Sequence, residues 1–395
     1  MTRRAVTAAA FVALTLPVLL ATPAVAAPTA EADLRIATFN VSMFRPTEGE
    51  LNQDLSTPDD PQIAKVTEVI QQVRPDVLLV NEFDYDPANV ALFRDSYLSR
   101  GVDPIDYPYA YIAPSNTGVP SGFDLNDNGA VQGGDDALGF GVFPGQYGML
   151  VLSQFPIVDD EVRTFQNFLW KDLPGARLPD DAATPASGDF YSADELAVLP
   201  LSSKSHWDVP IEVAGETVHV LASHPTPPSF DGPEDRNGLR NADEIAFWQQ
   251  YVAPGDESDA LYDDDGEHGG LARHERFVIM GDQNSDPADG DSLPGAAQQI
   301  IEADRVIDPL PSSEGAVEAA QLQGGPNLVH QSDPAYDTAD FSEPVPGNLR
   351  VDYVLPSEPM EVRDSGVFWP ATRDDLARLA DASDHHMVWV DLDVN

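Results

Sequence analysis

Short apolar runs along this chain repeatedly end in residues able to bind a metal ion or move a proton. Asn40, Glu82, His224, Asp282 with Asn284, Asp352, and Asp384 with His385 all stand at or just past such a run. Turn chemistry alone would draw equally on Gly, Ser and Pro, so the bias toward acids, carboxamides and imidazoles points to one shared active site. Carboxylate and carboxamide oxygens suit a hard divalent cation, and imidazoles beside carboxylates exchange protons near neutral pH. A second, separate pattern runs from Asp124 to Asp135. Asp124, Asn126, Asn128 and Asp135 place side-chain oxygens at positions 1, 3, 5 and 12 of a twelve-residue loop, with the Ala130 carbonyl at 7, Gly129 at 6 and Val131 at 8. That is the register of a calcium loop of the EF-hand or dockerin type. It departs from the pattern at Asp135, where Glu is commoner, and lacks long flanking helices, so the expectation is a solitary structural Ca²⁺ staple, with an ordinary Asn/Gly turn as the alternative. Asp263-Asp264-Asp265-Gly266 has no such register and reads as a solvated loop.

The elements that must position these residues are short buried strands between polar loops rich in Gly, Pro and Asp. Strands are expected over Leu34 to Phe39, Val77 to Val80, Met149 to Ser153, Phe277 to Met280, Arg350 to Leu355 and Met387 to Leu392. Pro210 to Val213 and Val218 to Ser223 read as a hairpin turning at Ala214-Gly215-Glu216. Helical spacing covers Ile63 to Val73, ending before Pro75, and Asn241 to Tyr251. Gly101 to Gly148, Phe165 to Lys204, Pro225 to Arg273 and Pro309 to Gly347 read as insertions, and no internal repeat is visible.

Composition sets outer limits. The 395 residues are 42% hydrophobic and 22% charged, an ordinary globular balance with ample material for a core. The net charge is −46, from 67 acidic against 21 basic residues, and Lys65, Lys171 and Lys204 are the whole lysine complement. That argues against a broad basic face for clamping nucleic acid, although a local cluster of scattered arginines could still form in the fold. Cysteine is absent, which excludes disulfides, thiolate zinc sites and cysteine nucleophiles. No Gly-x-Ser-x-Gly elbow is present, so a serine-hydrolase reading fails at its first step. Arg3 and Arg4, an apolar run from Ala8 to Leu20 and Ala24-Val25-Ala26-Ala27 form the three regions of an export signal over residues 1–27. The run is too short and alanine-rich for a membrane anchor, so the expectation is a secreted protein, its signal cleaved, with no membrane span, monomeric, its folded domain covering residues 33–395.

Five segments carry a resemblance. Ile36-Ala37-Thr38-Phe39-Asn40, Pro75 to Glu82, Gly281-Asp282-Gln283-Asn284, Arg350-Val351-Asp352-Tyr353-Val354 and Ser383-Asp384-His385 resemble, in order, the signature blocks of the endonuclease/exonuclease/phosphatase superfamily. The resemblance implies an α/β (α+β) fold, a four-layered α/β/β/α sandwich of two mixed β-sheets with helices outside, its active site where the strand ends of both sheets meet. It also implies a phosphodiester or phosphomonoester hydrolase that attacks in line with an activated water. By resemblance, Glu82 is the principal ligand of a catalytic Mg²⁺ or Mn²⁺, helped by Asn40 and Asp384. Asp352 orients His385, Asp282 and Asn284 face the nucleophile and the phosphate oxygens, and His224 serves the leaving group.

Some readings stay open at this level. His386 competes with His385 for the inward position, which the resemblance gives to His385. His206 is expected to be structural or peripheral, and Arg240 and Asn241 could touch phosphate or merely cap a helix. The alternative to an enzyme is a non-catalytic, calcium-stabilised extracellular binding protein on the same scaffold, though such a relative should have lost some of the set. The substrate class spans small phosphoesters and nucleic acid, with small phosphoesters favoured because a strongly acidic chain repels a polyanion.

Overall fold

The computed structural model describes residues 33–394 apart from residues 102 and 343, and the export signal expected over residues 1–27 lies outside them. Among the described residues thirteen strands form: β1 Asp33–Met43, β2 Val77–Phe83, β3 Tyr109–Tyr111, β4 Met149–Ser153, β5 Arg163–Thr164, β6 His206–Val213, β7 Glu216–Ser223, β8 Arg276–Asp282, β9 Ala339–Asp340, β10 Asn348–Leu349, β11 Asp352–Pro356, β12 Glu361–Val367 and β13 Val388–Asp393. One sheet has the order β12-β13-β1-β2-β4-β3 and the other β11-β8-β7-β6-β5, with β9 and β10 as a separate pair. Both sheets are mixed, since β1 runs parallel to β2 and β7 parallel to β8 while their other pairings are antiparallel.

Alternation along the strands builds the layers. Leu34, Ile36, Val77, Leu79, Met149 and Val151 from the first sheet meet Val209, Ile211, Val218, Val220, Val278, Met280 and Val354 from the second in one apolar core between the sheets. The intervening residues Ala37, Phe39, Leu78, Val80, Leu150 and Leu152 face the other way, against Ile63, Val66, Val69 and Ile70 of the helix Pro61–Val73. On the far side, Phe277, Ile279, Tyr353 and Leu355 pack on Ile245, Ala246, Phe247 and Trp248 of the helix Arg236–Val252. The result is the α/β/β/α sandwich, two mixed sheets face to face with helices outside.

Local signals start and stop the elements. Asp60 caps the helix Pro61–Val73 by accepting from the Ile63 amide, and Arg74 closes it in the left-handed region immediately before Pro75. The β6–β7 hairpin turns through Ala214 and Gly215, both at positive φ, as a tight hairpin requires. Gly281 sits at φ +132°, and a Cβ there would lie 2.0 Å from the Ser223 carbonyl oxygen, so only glycine lets β8 approach β7 just before Asp282. The segments expected as insertions are not all peripheral: Phe165, Phe168, Trp170, Leu199 and Leu201 are buried in the outer core. The helix Arg236–Val252 starts five residues before the expected span, and β12 carries too little apolar alternation to have been expected.

Candidate active site

The strand ends converge as the layers dictate. Asn40 and Asn81 are register partners on β1 and β2, Asp282 and Asp352 are register partners on β8 and β11, and the two pairs face each other across the sandwich. Asn40 Nδ2 donates to Asp282 Oδ2 at 3.0 Å, and the Asp282 amide donates to Asn81 Oδ1 at 3.3 Å. These bonds tie one sheet to the other at the cleft. Glu82 follows Asn81 with φ 59°, and Asn284 follows β8 with φ 51°. Left-handed conformations in non-glycine residues cost of order 1–3 kcal/mol and collect at functional sites.

A polar chain runs through the centre. Thr338 Oγ1 donates to Asp352 Oδ2 at 2.8 Å, and His385 Nδ1 donates to the same oxygen at 2.9 Å. His385 Nε2 lies 3.7 Å from Asp282 Oδ2, and His224 Nε2 lies 3.3 Å from that oxygen. Asp282 Oδ1 accepts the Asn284 amide at 2.8 Å. Asp282, Asp352, His224 and His385 are all at most 5% exposed. One ligand-type atom each from Asp282, Asp352 and His385 lies within 4.8 Å of the others.

Burial and charge set opposite protonation states for the two imidazoles. Burial works against a charged His385, but Asp352 and Asp282 outweigh it and hold its pKa well above the ordinary value. For His224, burial and then the Lys204 charge pull the pKa down to about 4 despite Asp282. Burial would raise Asp282, yet His385 and His224 hold it below the usual carboxylate range. Glu82 is pushed up to about 7, chiefly by burial and further by Asp384 and Asp282, with His385 opposing. Asp352 is raised to about 6, again chiefly by burial.

Other expected residues fall around this centre. Asp384 is exposed at its edge and accepts from Ser42 Oγ at 2.5 Å. Asn284 Nδ2 donates to the Pro225 carbonyl at 3.1 Å, which braces the loop carrying His224. His386 turns away and stacks on Trp369 with centroids 3.7 Å apart, so His385 is the inward imidazole. His206 is buried on β6 between Ser202 Oγ and the Glu244 carbonyl, a structural position. Arg240 donates to the carbonyls of Leu201, Leu138 and Pro200, and Asn241 Nδ2 to those of Thr226 and Gln283. Both brace backbone.

In the loop from Asp124 to Asp135 the expected side-chain oxygens of Asp124, Asn126 and Asn128 accept backbone amides. Asp124 accepts the amides of Asn128 (3.0 Å) and Gly129 (2.7 Å), and Asn128 Oδ1 accepts that of Ala130 at 2.9 Å. Asn126 Oδ1 accepts the Asn128 amide at 3.2 Å. Asp135, however, is exposed. Asp136 is the buried acid that closes the loop, accepting from Leu125 at 2.8 Å and Gln132 at 2.7 Å. A short 3₁₀ turn at Gly134–Asp136 carries both acids.

Lys204 was not anticipated. It is 6% exposed, donates to the Pro225 carbonyl at 3.3 Å, and its ammonium feels Glu244, Asp282 and Glu82, while burial pulls its pKa down. Its signal was rarity, as one of three lysines in an acidic chain. Glu244 accepts from Ser203 N at 2.6 Å and Thr226 N at 2.7 Å, and Thr338 props Asp352. Neither had a sequence signal, because each acts through a fold-level contact.

Among solved structures, an endonuclease/exonuclease/phosphatase from Beutenbergia cavernae is similar at 19% identity, covering 92% of this chain and 72% of its own, with a TM-score of 0.49. Sphingomyelinase C from Streptomyces griseocarneus is similar at 15% identity, covering 91% and 99%, with a TM-score of 0.45. TDP2 from Caenorhabditis elegans is similar at 14% identity, covering 92% and 74%, with a TM-score of 0.44. No curated protein matches the sequence. The model of the Endonuclease/Exonuclease/phosphatase family matches residues 37–385, nearly the whole span over which the strand ends converge, and the chain therefore belongs to that family.

Proposed function

We propose that this protein is a divalent-metal-dependent phosphoesterase that hydrolyses a phosphodiester or phosphomonoester by in-line attack of water, and that it works outside the cytoplasm. The observation that carries the reading is the continuous Thr338–Asp352–His385–Asp282–His224 array joined to Asn40 at the strand ends of both sheets. Asp282, held ionised by its neighbours, orients the water and accepts its proton. His385, held charged by Asp352, neutralises charge developing on the phosphate and supplies a proton to the leaving oxygen. His224, expected to serve the leaving group, is kept neutral at physiological pH by burial and then the Lys204 charge, and in this reading it fixes Asp282 from 3.3 Å instead. The Lys204 ammonium lies close enough to Asp282 and Glu82 to attract the phosphate, and Glu244 and Asn241 hold the segment that carries His224.

The family is in general divalent-metal dependent, and the residues present fit such an ion. Glu82, Asp384 and Asn40 offer only oxygen donors, and the raised Glu82 pKa marks a carboxylate whose charge the protein leaves largely uncompensated. These three would hold Mg²⁺ or Mn²⁺, which when bound polarises the phosphoryl oxygens. Asp352 gives its Oδ2 to Thr338 and His385, while its Oδ1 has no partner among the described residues. Export rests on residues 1–27 alone; among the described residues no helix is long and apolar enough to cross a membrane.

A hydrolysis panel tests the reading: bis-p-nitrophenyl phosphate, p-nitrophenyl phosphate, a phospholipid and plasmid DNA, each with Mg²⁺, Mn²⁺ or Ca²⁺. Expected is metal-dependent turnover of small phosphoesters, lost by about three decades or more in His385→Ala and Asp282→Ala with the fold retained. Activity on duplex DNA should be weaker at physiological salt, where a net charge of −46 repels a polyanion over a Debye length of about 8 Å. No turnover of any phosphoester with any of the three metals refutes the proposal.

A further inference from the structure

Behind the Asp352–His385 pair, the loop after β8 and the loop before β9 are docked side by side. Asp289 accepts the Gln331 amide at 2.9 Å, the Ser332 amide at 3.0 Å and the Ser332 hydroxyl at 2.6 Å. Asp286 Oδ1 accepts the amides of Ala288 and Asp289, both at 2.8 Å, and its Oδ2 accepts the Arg350 amide at 2.8 Å. The Thr338 amide donates to the Leu349 carbonyl at 2.9 Å. Asp286 and the residue after Asp337 are thus held by the consecutive residues Arg350 and Leu349.

Within this junction Asp337 is 2% exposed, and its Oδ1 has no hydrogen-bond partner among the described residues. The Ser285 hydroxyl, next to Asp286 in the chain, is also buried and without a partner there. The guanidinium of Arg350 is engaged by Asp308 through bonds of 2.9 and 2.5 Å. Burial, then the charges of Asp286, Asp289 and Asp333, push Asp337 up to about 8. A buried carboxylate oxygen without a donor, set among other acids, is costly unless a cation compensates it.

We infer that Asp337, together with Asp286 and the Ser285 hydroxyl, binds a divalent cation of the calcium class at a site separate from the catalytic cleft. Carboxylate oxygens that already accept amide bonds keep lone pairs for a metal, and the all-oxygen set of Asp337, Asp286 and Ser285 favours a hard ion whose remaining positions are filled by water. Asp289 and Asp333 add negative charge without being required as ligands. Because Thr338, next to Asp337, donates to Asp352, the ion fixes the loop that props the central acid.

Equilibrium dialysis against radioactive Ca²⁺ at about 0.1 mM and physiological salt, where diffuse binding to the acidic surface is screened, counts ions per chain. The background is the full chain carrying Glu82→Gln and Asp124→Ala, which weakens the cleft and the Asp124 loop. Expected is one retained ion, lost on adding Asp337→Asn. The background protein should also melt at a higher temperature in calcium than in EDTA, a reading that does not depend on Asp337→Asn folding. An unchanged ion count in the Asp337→Asn protein, or a background protein that neither retains calcium nor shifts its melting temperature, overturns the inference.

Discussion

Replacing Asp352 with Asn tests the central array most sharply. His385 is 5% exposed, and its Nδ1 donates to Asp352 Oδ2 at 2.9 Å. Burial alone disfavours the imidazolium, and Asp352 is the largest influence raising its pKa, with Asp282 next. In Asp352→Asn the carboxylate charge is gone and Asp282, 3.7 Å from Nε2, opposes burial alone, so His385 becomes neutral in the neutral pH range. Breaking one side of a buried pair costs roughly 3–5 kcal/mol, and if that interaction is made in the transition state the loss is about two to four decades at about 1.36 kcal/mol per decade. The pH dependence should invert as well. In the wild type, Asp352 is pushed up to about 6, so activity falls on the acid side as Asp352 takes up a proton and releases the imidazolium, and persists as pH rises because the His385 pKa is high. In the variant that acid limb disappears, and residual activity declines as pH rises through neutrality. The assay is kcat/KM for bis-p-nitrophenyl phosphate with saturating Mg²⁺ from about pH 5 to 8.5. A variant within about threefold of wild type, or one with the wild-type pH profile, refutes the assignment of His385 as the charged imidazole.

Three other outcomes follow from the same geometry. Because the Glu82 carboxyl is raised to about 7 and must shed its proton to bind a cation, apparent Mg²⁺ or Mn²⁺ affinity should rise with pH through 7, and Glu82→Gln should abolish that rise in metal titrations at pH 6 and 8. Lys204→Met should raise KM by about tenfold or more for phosphoesters, whereas Lys171→Met, whose ammonium pairs with Asp172 at the surface, should leave both kcat and KM unchanged; equal effects would remove Lys204 from the cleft. His206 is buried neutral with a pKa of about 4, depressed from about 6.5 in the unfolded chain, so its stabilisation is full above pH 6.5 and lost as pH falls toward 4. The difference is about 3 kcal/mol, and in His206→Gln the slope of melting temperature against pH across that window should flatten while kcat at neutral pH changes little.

The local pattern of the chain determined the strand ends and the chemistry standing on them. A buried strand needs a continuous apolar run, as in Val77-Leu78-Leu79-Val80, and any polar residue that interrupts it marks the rim. Asn40, Glu82, Asp282, Asp352 and His385 were legible for that reason. Composition likewise limited what the chain could be, since 67 acidic and 21 basic residues leave no broad basic face. Tertiary structure alone decided the contacts between segments far apart in sequence. Whether His385 or His386 faces inward depends on Trp369 stacking with the second. The burial of Asp136 beneath the Asp124 loop, where it accepts from the Leu125 and Gln132 amides, likewise depends on the fold. The opposite protonation of His224 and His385 depends on which of Lys204, Asp352 and Asp282 stands nearest each ring. Protonation and orientation are set by electrostatic and hydrogen-bond interactions that fall off within a few ångströms, and those distances exist only once both sheets have packed together.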